Sequence, residues 1–157
     1  MMSVEFEIHA FDSDDMDDFS PQPMQEDEYK CLLAGNNDIW EWLQRRNDTI
    51  TMTRDGETVL VMGIMPLPDS GAQVWLFLAD NIDASSMLLA TRSIDAVLEG
   101  LDDAYSGHEC PKWVQTVVRQ DYPQGKRWAK MLGFHPTNQS EDLLGDGTMY
   151  EYWVRYI

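Results

Sequence analysis

Polar and apolar residues alternate from the start of the chain. Val4, Phe6, Ile8 and Ala10 fall on one side and Glu5, Glu7 and His9 on the other, which predicts a half-buried strand over Val4–Phe11 with the apolar set inward. Runs of β-branched and apolar residues predict strands over Thr49–Arg54 and Thr58–Met65. Asp55-Gly56 between them is a hairpin dipeptide, because the mirror-image turn that matches strand twist needs positive φ at both central positions. After a Pro-rich turn, Pro66–Gly71, the run Gln73–Ala79 (QVWLFLA) is apolar at consecutive positions. It predicts a central strand covered on both faces. Lys112–Val118 (KWVQTVV), Phe134–Asn138 and Thr148–Tyr156 complete the strands, the last with Tyr150, Tyr152, Val154 and Tyr156 on one face.

Helical periods separate these runs. Pro21–Gly35 predicts a helix with Met24, Cys31 and Leu32 inward and Gly35 as its stop. Asp38 and Glu41 have capping-box spacing before a buried stripe of Ile39, Trp42 and Leu43. Ser85–Tyr105 predicts the longest helix, with Ile94, Val97, Leu98, Leu101 and Tyr105 along one side. It joins two strands, so a right-handed crossover should make them a parallel pair. GKRWAKMLGFHP, Gly125–Pro136, predicts a short helix with Gly125, Trp128, Ala129 and Leu132 on its packing face. Pro123 suits its first turn. Gly133 suits the left-handed position beyond its end, with Phe134 packing back on the last turn. Lys130 suits the negative end of the dipole.

At 157 residues, a single domain over residues 1–157 is expected. A chain of this length buries about 68–70% of its unfolded surface, enough for a core without staples. A hydrophobic content of 43% with six Trp excludes a disordered chain. Two cysteines, Cys31 and Cys110, make no disulfide framework and point to reduced thiols. No basic-plus-apolar N-terminal segment resembles a secretory signal, and no apolar run approaches the roughly 20 residues of a spanning helix. A protein neither secreted nor membrane-bound is therefore expected.

Charge changes the picture more. Eleven basic residues against 28 acidic give a net charge of −17. That field repels nucleic acid, anionic membranes and polyphosphates at long range, so no direct nucleic-acid or membrane binding is expected. It is compatible with a basic protein partner, with mimicry of a DNA backbone, and with plain solubility. Asp12–Phe19 (DSDDMDDF) lacks the Gly and Glu of a calcium loop, since Asp17 and Pro23 stand at those places. It reads as a solvated acidic connection with room for one helical turn, and no metal site is expected. His108-Glu109-Cys110 lacks a second Cys/His pair at ligand spacing and reads as a turn.

The element order runs strand, two helices, a three-stranded meander, a long helix, a strand, a short helix ending in Leu-Gly-Phe, and two terminal strands. Carried by VWLFLAD, KWVQTVV and KRWAKMLGFHP, it resembles the GNAT family of N-acetyltransferases. That resemblance implies an α+β (α/β) fold with a mixed central sheet of six to seven strands flanked by about four helices. Within that family, the Trp-bearing strands, the missing glycine-rich loop and the RWAKMLGF segment resemble the GNAT-like internal virion protein A, or acetyltransferase-like, proteins of T7-like podophages.

The resemblance also implies a chemistry: acetyl-CoA held by its pyrophosphate at the start of the long helix, its pantetheine paired with the strand before that helix, and an acid and base to move protons. Leu78 and Ala79 match the strand positions, and Ser85 and Ser86 the helix start. The family's glycine-rich loop aligns with Asn81–Ser86, which has neither Gly nor Arg and is flanked by Asp80. Asp83 or Ser85 reads instead as a helix cap. The family's acid, a Tyr four residues before the Gly of Leu-Gly-Phe, aligns with Ala129, and its Asn with Tyr122. The candidate bases are Asp80, Glu57 and His108.

The departures from the family's motifs favour a degenerate acetyltransferase, and the resemblance to the podophage proteins implies an internal virion or virion-assembly component of a bacteriophage, in the virion or host cytoplasm. Its expected partner is a virion or host protein of basic character, and no resident cofactor is expected. The alternatives are an acetyl-CoA-dependent N-acetyltransferase acting on a host or phage protein, and an acidic DNA mimic or inhibitor of a host protein.

Overall fold

The alternating and β-branched runs form seven strands: β1 Phe6–Ala10, β2 Thr49–Arg54, β3 Glu57–Leu67, β4 Gly71–Leu78, β5 Trp113–Arg119, β6 His135–Glu141 and β7 Tyr150–Tyr156. They make one sheet in the order β1-β2-β3-β4-β5-β7-β6. The helices are α1 Glu26–Gly35, α2 Ile39–Arg46, α3 Ala84–Glu99 and α4 Pro123–Met131. This computed structural model describes residues 5–35, 38–46, 48–101 and 110–157. The crossover through α3 makes β4 and β5 parallel, over Gly71–Gln73 against Trp113–Gln115. The pairs β1–β2, β2–β3, β5–β7 and β6–β7 are antiparallel. Packing divides the chain into two units, Met1–Gly63 with Leu76–Ala90, and Ile64–Trp75 with Thr91–Ile157.

In the first unit, Asp55 and Gly56 both have positive φ, 51° and 83°, and close the expected two-residue hairpin between Arg54 and Glu57. Met52, Leu60, Val61 and Met62 are fully buried beneath it. Aromatic rings gather around Tyr29, whose centroid lies 5.9 Å from Phe19, 5.8 Å from Trp40 and 5.4 Å from Phe77. The helix expected from Pro21 begins later: Pro23–Gln25 form a 3-10 turn and the α-helix starts at Glu26.

Several expected inward positions in this unit face outward. Ile8 is 46% exposed and Ala10 is exposed while Phe6 is half-buried, so the apolar side of β1 is only partly covered. Cys31 is exposed on α1. Trp42 is exposed on α2, with the Arg46 guanidinium 4.9 Å above its ring, which leaves Leu43 as the buried residue of that helix. The acidic connection is not simply solvated either. Ser13–Met16 make a 3-10 turn with Met16 buried. The Asp15 carboxylate accepts from the Thr51 hydroxyl (2.7 Å) and the Asp12 N–H (2.9 Å), and the Thr58 hydroxyl donates to the Asp15 carbonyl (2.8 Å).

In the second unit, α4 ends as its sequence requires. Gly133 has φ 84°, the Phe134 N–H donates to the Ala129 carbonyl (3.0 Å) and the Gly133 N–H to that of Lys130 (3.0 Å). These two bonds make the Schellman closure, with Ala129, Leu132 and Phe134 buried. Arg155 adds a partner that the local pattern did not indicate. It donates to the Leu132 carbonyl (2.7 Å) and to Asp95 (2.9 Å). The Trp128 indole donates to the Thr91 hydroxyl (2.7 Å). On β7, Tyr150 is buried but Tyr156 is 77% exposed, and Trp153, on the opposite face, is buried. The end of the predicted long helix, including Tyr105, lies outside the described residues.

Candidate functional site

The N-terminus of α3 lies beside the β2–β3 hairpin, where Arg54, Asp55 and Glu57 line an open pocket with Asn81, Asp83 and Ser86. Asp83 caps the helix. Its Oδ1 accepts from the Ser86 N–H (2.8 Å) and the Ser85 hydroxyl (3.1 Å), and its carbonyl accepts from the Met87 N–H (2.9 Å). Its other carboxylate oxygen is ion-paired with Arg54. The same Arg54 nitrogen donates to the hydroxyls of Ser85 (3.2 Å) and Ser86 (3.1 Å). The helix terminus, which attracts anions, thus carries the chain's own carboxylate, and a cation from another element neutralises it.

Arg54 is the residue that the linear pattern missed. No Arg stands in Asn81–Ser86, but the hairpin delivers one from β2 to the same place. Its only local signal was a cation directly before Asp55-Gly56.

A second anchoring surface is the edge of β4. The Ala79 N–H donates to the Val59 carbonyl (2.9 Å), so Leu76 and Leu78, of opposite parity, turn their main-chain groups away from β3. That far edge is held by residues 20–25. The Gln25 side chain donates to the Leu76 carbonyl (2.9 Å) and accepts from the Leu78 N–H (2.8 Å). The Gln22 N–H donates to the Leu78 carbonyl (2.9 Å) and the Asp80 N–H to the Ser20 carbonyl (2.8 Å). One carboxamide pairs with two outward positions, as the peptide unit of a neighbouring strand does.

The sequence candidates therefore separate. Glu57 and Ser86 meet at the pocket, and Ser85 bonds to its Arg54 and Asp83. Leu78 and Ala79 are buried, the main chain of Leu78 bonded to the Gln22 N–H and the Gln25 side chain and that of Ala79 to Val59. Asp80 is exposed and bonds through its N–H to Ser20. His108 lies outside the described residues. Tyr122 stands at the start of α4 with its ring against Gly125, where an added Cβ would come within 2.6 Å of the ring. Burial raises the Tyr122 hydroxyl above its ordinary 10.0. Ala129 is buried and brings no titratable group. Among the described residues no group of His, Cys, Asp and Glu is placed to hold a metal ion, and no helix is long and apolar enough to cross a membrane.

No known family profile and no curated protein sequence matches the chain. Solved structures do. A GNAT-family acetyltransferase from Bacillus anthracis superposes with a TM-score of 0.69 at 10% identity, covering 98% of this chain and 96% of its own. The ribosomal-protein-S5-alanine acetyltransferase of Vibrio fischeri gives 0.63 at 9% identity over 96% and 92%. A Bacillus subtilis acetyltransferase solved in complex with CoA gives 0.62 at 10% identity over 99% of both chains. With a mixed seven-stranded sheet, a parallel β4–β5 pair and the Leu132-Gly133-Phe134 closure of α4, this chain has the GNAT acetyltransferase fold.

Proposed function

We propose that this chain uses the GNAT fold as a protein-binding scaffold, not as an acetyl-CoA-dependent transferase, and that it serves in a virion or a virion-assembly intermediate. The observation that carries the first half is Asp83 at the α3 N-terminus, ion-paired with Arg54. The two charges cancel, which leaves a pyrophosphate only the attraction of the helix end, about 0.3–1 kcal/mol. A ligand held at 100 µM needs about −5.5 kcal/mol. The β4 edge adds to the mismatch, because Gln25 already holds the amide-pairing groups of Leu76 and Leu78. The residues at both places do not fit acetyl-CoA.

The test is calorimetric titration with CoA and acetyl-CoA. Binding weaker than about 100 µM is expected. Tighter binding overturns the reading and favours an acetyl-CoA-dependent N-acetyltransferase. The virion role is supported by the resemblance of VWLFLAD, KWVQTVV and RWAKMLGF to the podophage proteins. Mass spectrometry of purified particles and assembly intermediates tests it, and absence from both counts against it.

A further inference from the structure

We infer that the outer edge of β1 is a docking strand for an extended, basic segment of a partner protein. The inference rests on the reading of this chain as a protein-binding scaffold and names the surface. β1 ends the sheet, and among the described residues only β2 pairs with it. The Glu5 carbonyl accepts from the Asp55 N–H (2.7 Å), and the Phe11 N–H donates to the Thr49 carbonyl (3.1 Å). The odd-numbered residues therefore bond to β2, and Phe6 and Ile8 turn their main-chain groups outward, as does the Ala10 N–H, while the Ala10 carbonyl meets the His9 ring (2.9 Å). Ile8 is 46% exposed on this edge.

The two ends of the sheet differ. β6 carries Pro136, a break in register between Pro136 and Ser140, and Asn138 at φ 65°. These are devices that stop a further strand from adding. β1 pairs with β2 in unbroken register and contains neither Pro nor Gly. An exposed, regular edge with an apolar residue invites an added strand.

Charge selects the occupant. No Lys or Arg precedes Lys30, while Glu5, Glu7 and the aspartates of Asp12–Asp18 do. Glu5 and Glu7 are exposed on one side of the strand. Glu7 beside Glu5 holds the Glu5 carboxyl above its ordinary range, with Asp55 adding to the effect. A second copy of β1 would bring more carboxylates to this edge and is disfavoured. A strand alternating basic and apolar residues sets its cations near Glu5 and Glu7 and its apolar side chains near Phe6 and Ile8.

The probe is a fluorescently labelled peptide of alternating lysine and valine, titrated by anisotropy against the full chain, with hydrogen exchange read at the amides of Phe6, Ile8 and Ala10. Saturable binding that weakens with salt and slows exchange at those three amides is expected, and a glutamate–valine peptide should not bind. Ile8→Pro removes an outward N–H without removing a bond to β2, and should weaken binding about tenfold. Should that variant fail to fold, the double variant Glu5→Gln, Glu7→Gln keeps the backbone and should weaken binding about fivefold. Equal affinity of the folded variants and the parent, binding without protection at these amides, or no binding by the parent each overturns the inference. The CoA titration reads a separate place, so tight CoA binding would refute the scaffold reading while leaving the peptide result to stand or fall alone.

Discussion

Replacing Asp83 by Ala separates a helix cap from an ion pair. The carboxylate caps α3 through Ser86 N–H and Ser85 and pairs with Arg54. Losing the cap costs about 1 kcal/mol. The Asp83 side chain is 48% exposed and that of Arg54 26%, so screening limits the pair to about 0.5–1 kcal/mol. Asp83→Ala should therefore destabilise by about 1.5–2 kcal/mol. Asp83→Asn keeps an oxygen for the Ser86 N–H and loses only the charge, so about 0.5–1 kcal/mol is expected. Urea unfolding of both variants, of Arg54→Ala and of the doubles measures this directly. The Arg54–Asp83 coupling should shrink at 1 M salt, where the Debye length is about 3 Å. Equal losses for Ala and Asn would refute the capping role, and a coupling insensitive to salt would refute the screened pair. Asp83→Asn also leaves the Arg54 guanidinium uncancelled at the helix end, and inorganic pyrophosphate should bind it about tenfold more tightly than the parent.

A Cβ at Gly71 would lie 2.1 Å from the Trp113 ring, so Gly71→Ala should destabilise by about 2–3 kcal/mol. The added substitution Trp113→Leu should recover part of the loss, and an unchanged thermal midpoint for Gly71→Ala would contradict the packing described. Gln25→Ala removes both amide bonds to β4 and should cost about 1–2 kcal/mol. Exchange of the Leu78 amide should quicken, and unchanged protection would show that the carboxamide does not hold the edge. Burial raises the Tyr29 and Tyr122 hydroxyls above 10.0, so the folded chain keeps protons that the unfolded chain releases. Their contribution is complete below about pH 10 and is lost as pH rises through the folded-state values. Urea midpoints should fall above about pH 10, less so for Tyr29→Phe, and a rise there would contradict the sign.

Features governed by neighbours in sequence were legible. Asp55-Gly56 closed its hairpin because two positive φ angles are a local demand. Pro123, Gly133 and Phe134 bounded α4 because capping needs only the residues around a helix end. Runs of β-branched and apolar residues located β2, β3, β4 and β5 within a few residues, and the strand–helix–strand order implied the parallel pair. Where the reading failed, the missing quantity was a distant partner. Ile8, Cys31 and Trp42 have the spacing of buried residues, but spacing identifies a face without saying whether anything covers it. Asp15 looked like one solvated acid among many, until Thr51 came to bond it.

The candidate site shows the same division more sharply. Asp83 or Ser85 was legible as a cap, since the Ser86 N–H that Asp83 satisfies is only three residues away. That the cap is also an ion pair depends on Arg54, which is brought to α3 by the β2–β3 hairpin. That the β4 edge is taken depends on Gln25, brought there by the turn before α1. Sequence by itself determined the elements, their order, the missing glycine-rich loop and the acidic character. Only the tertiary structure decided which charges neutralise one another and which strand edges stay open, because those outcomes depend on contacts between residues some 30 to 50 positions apart.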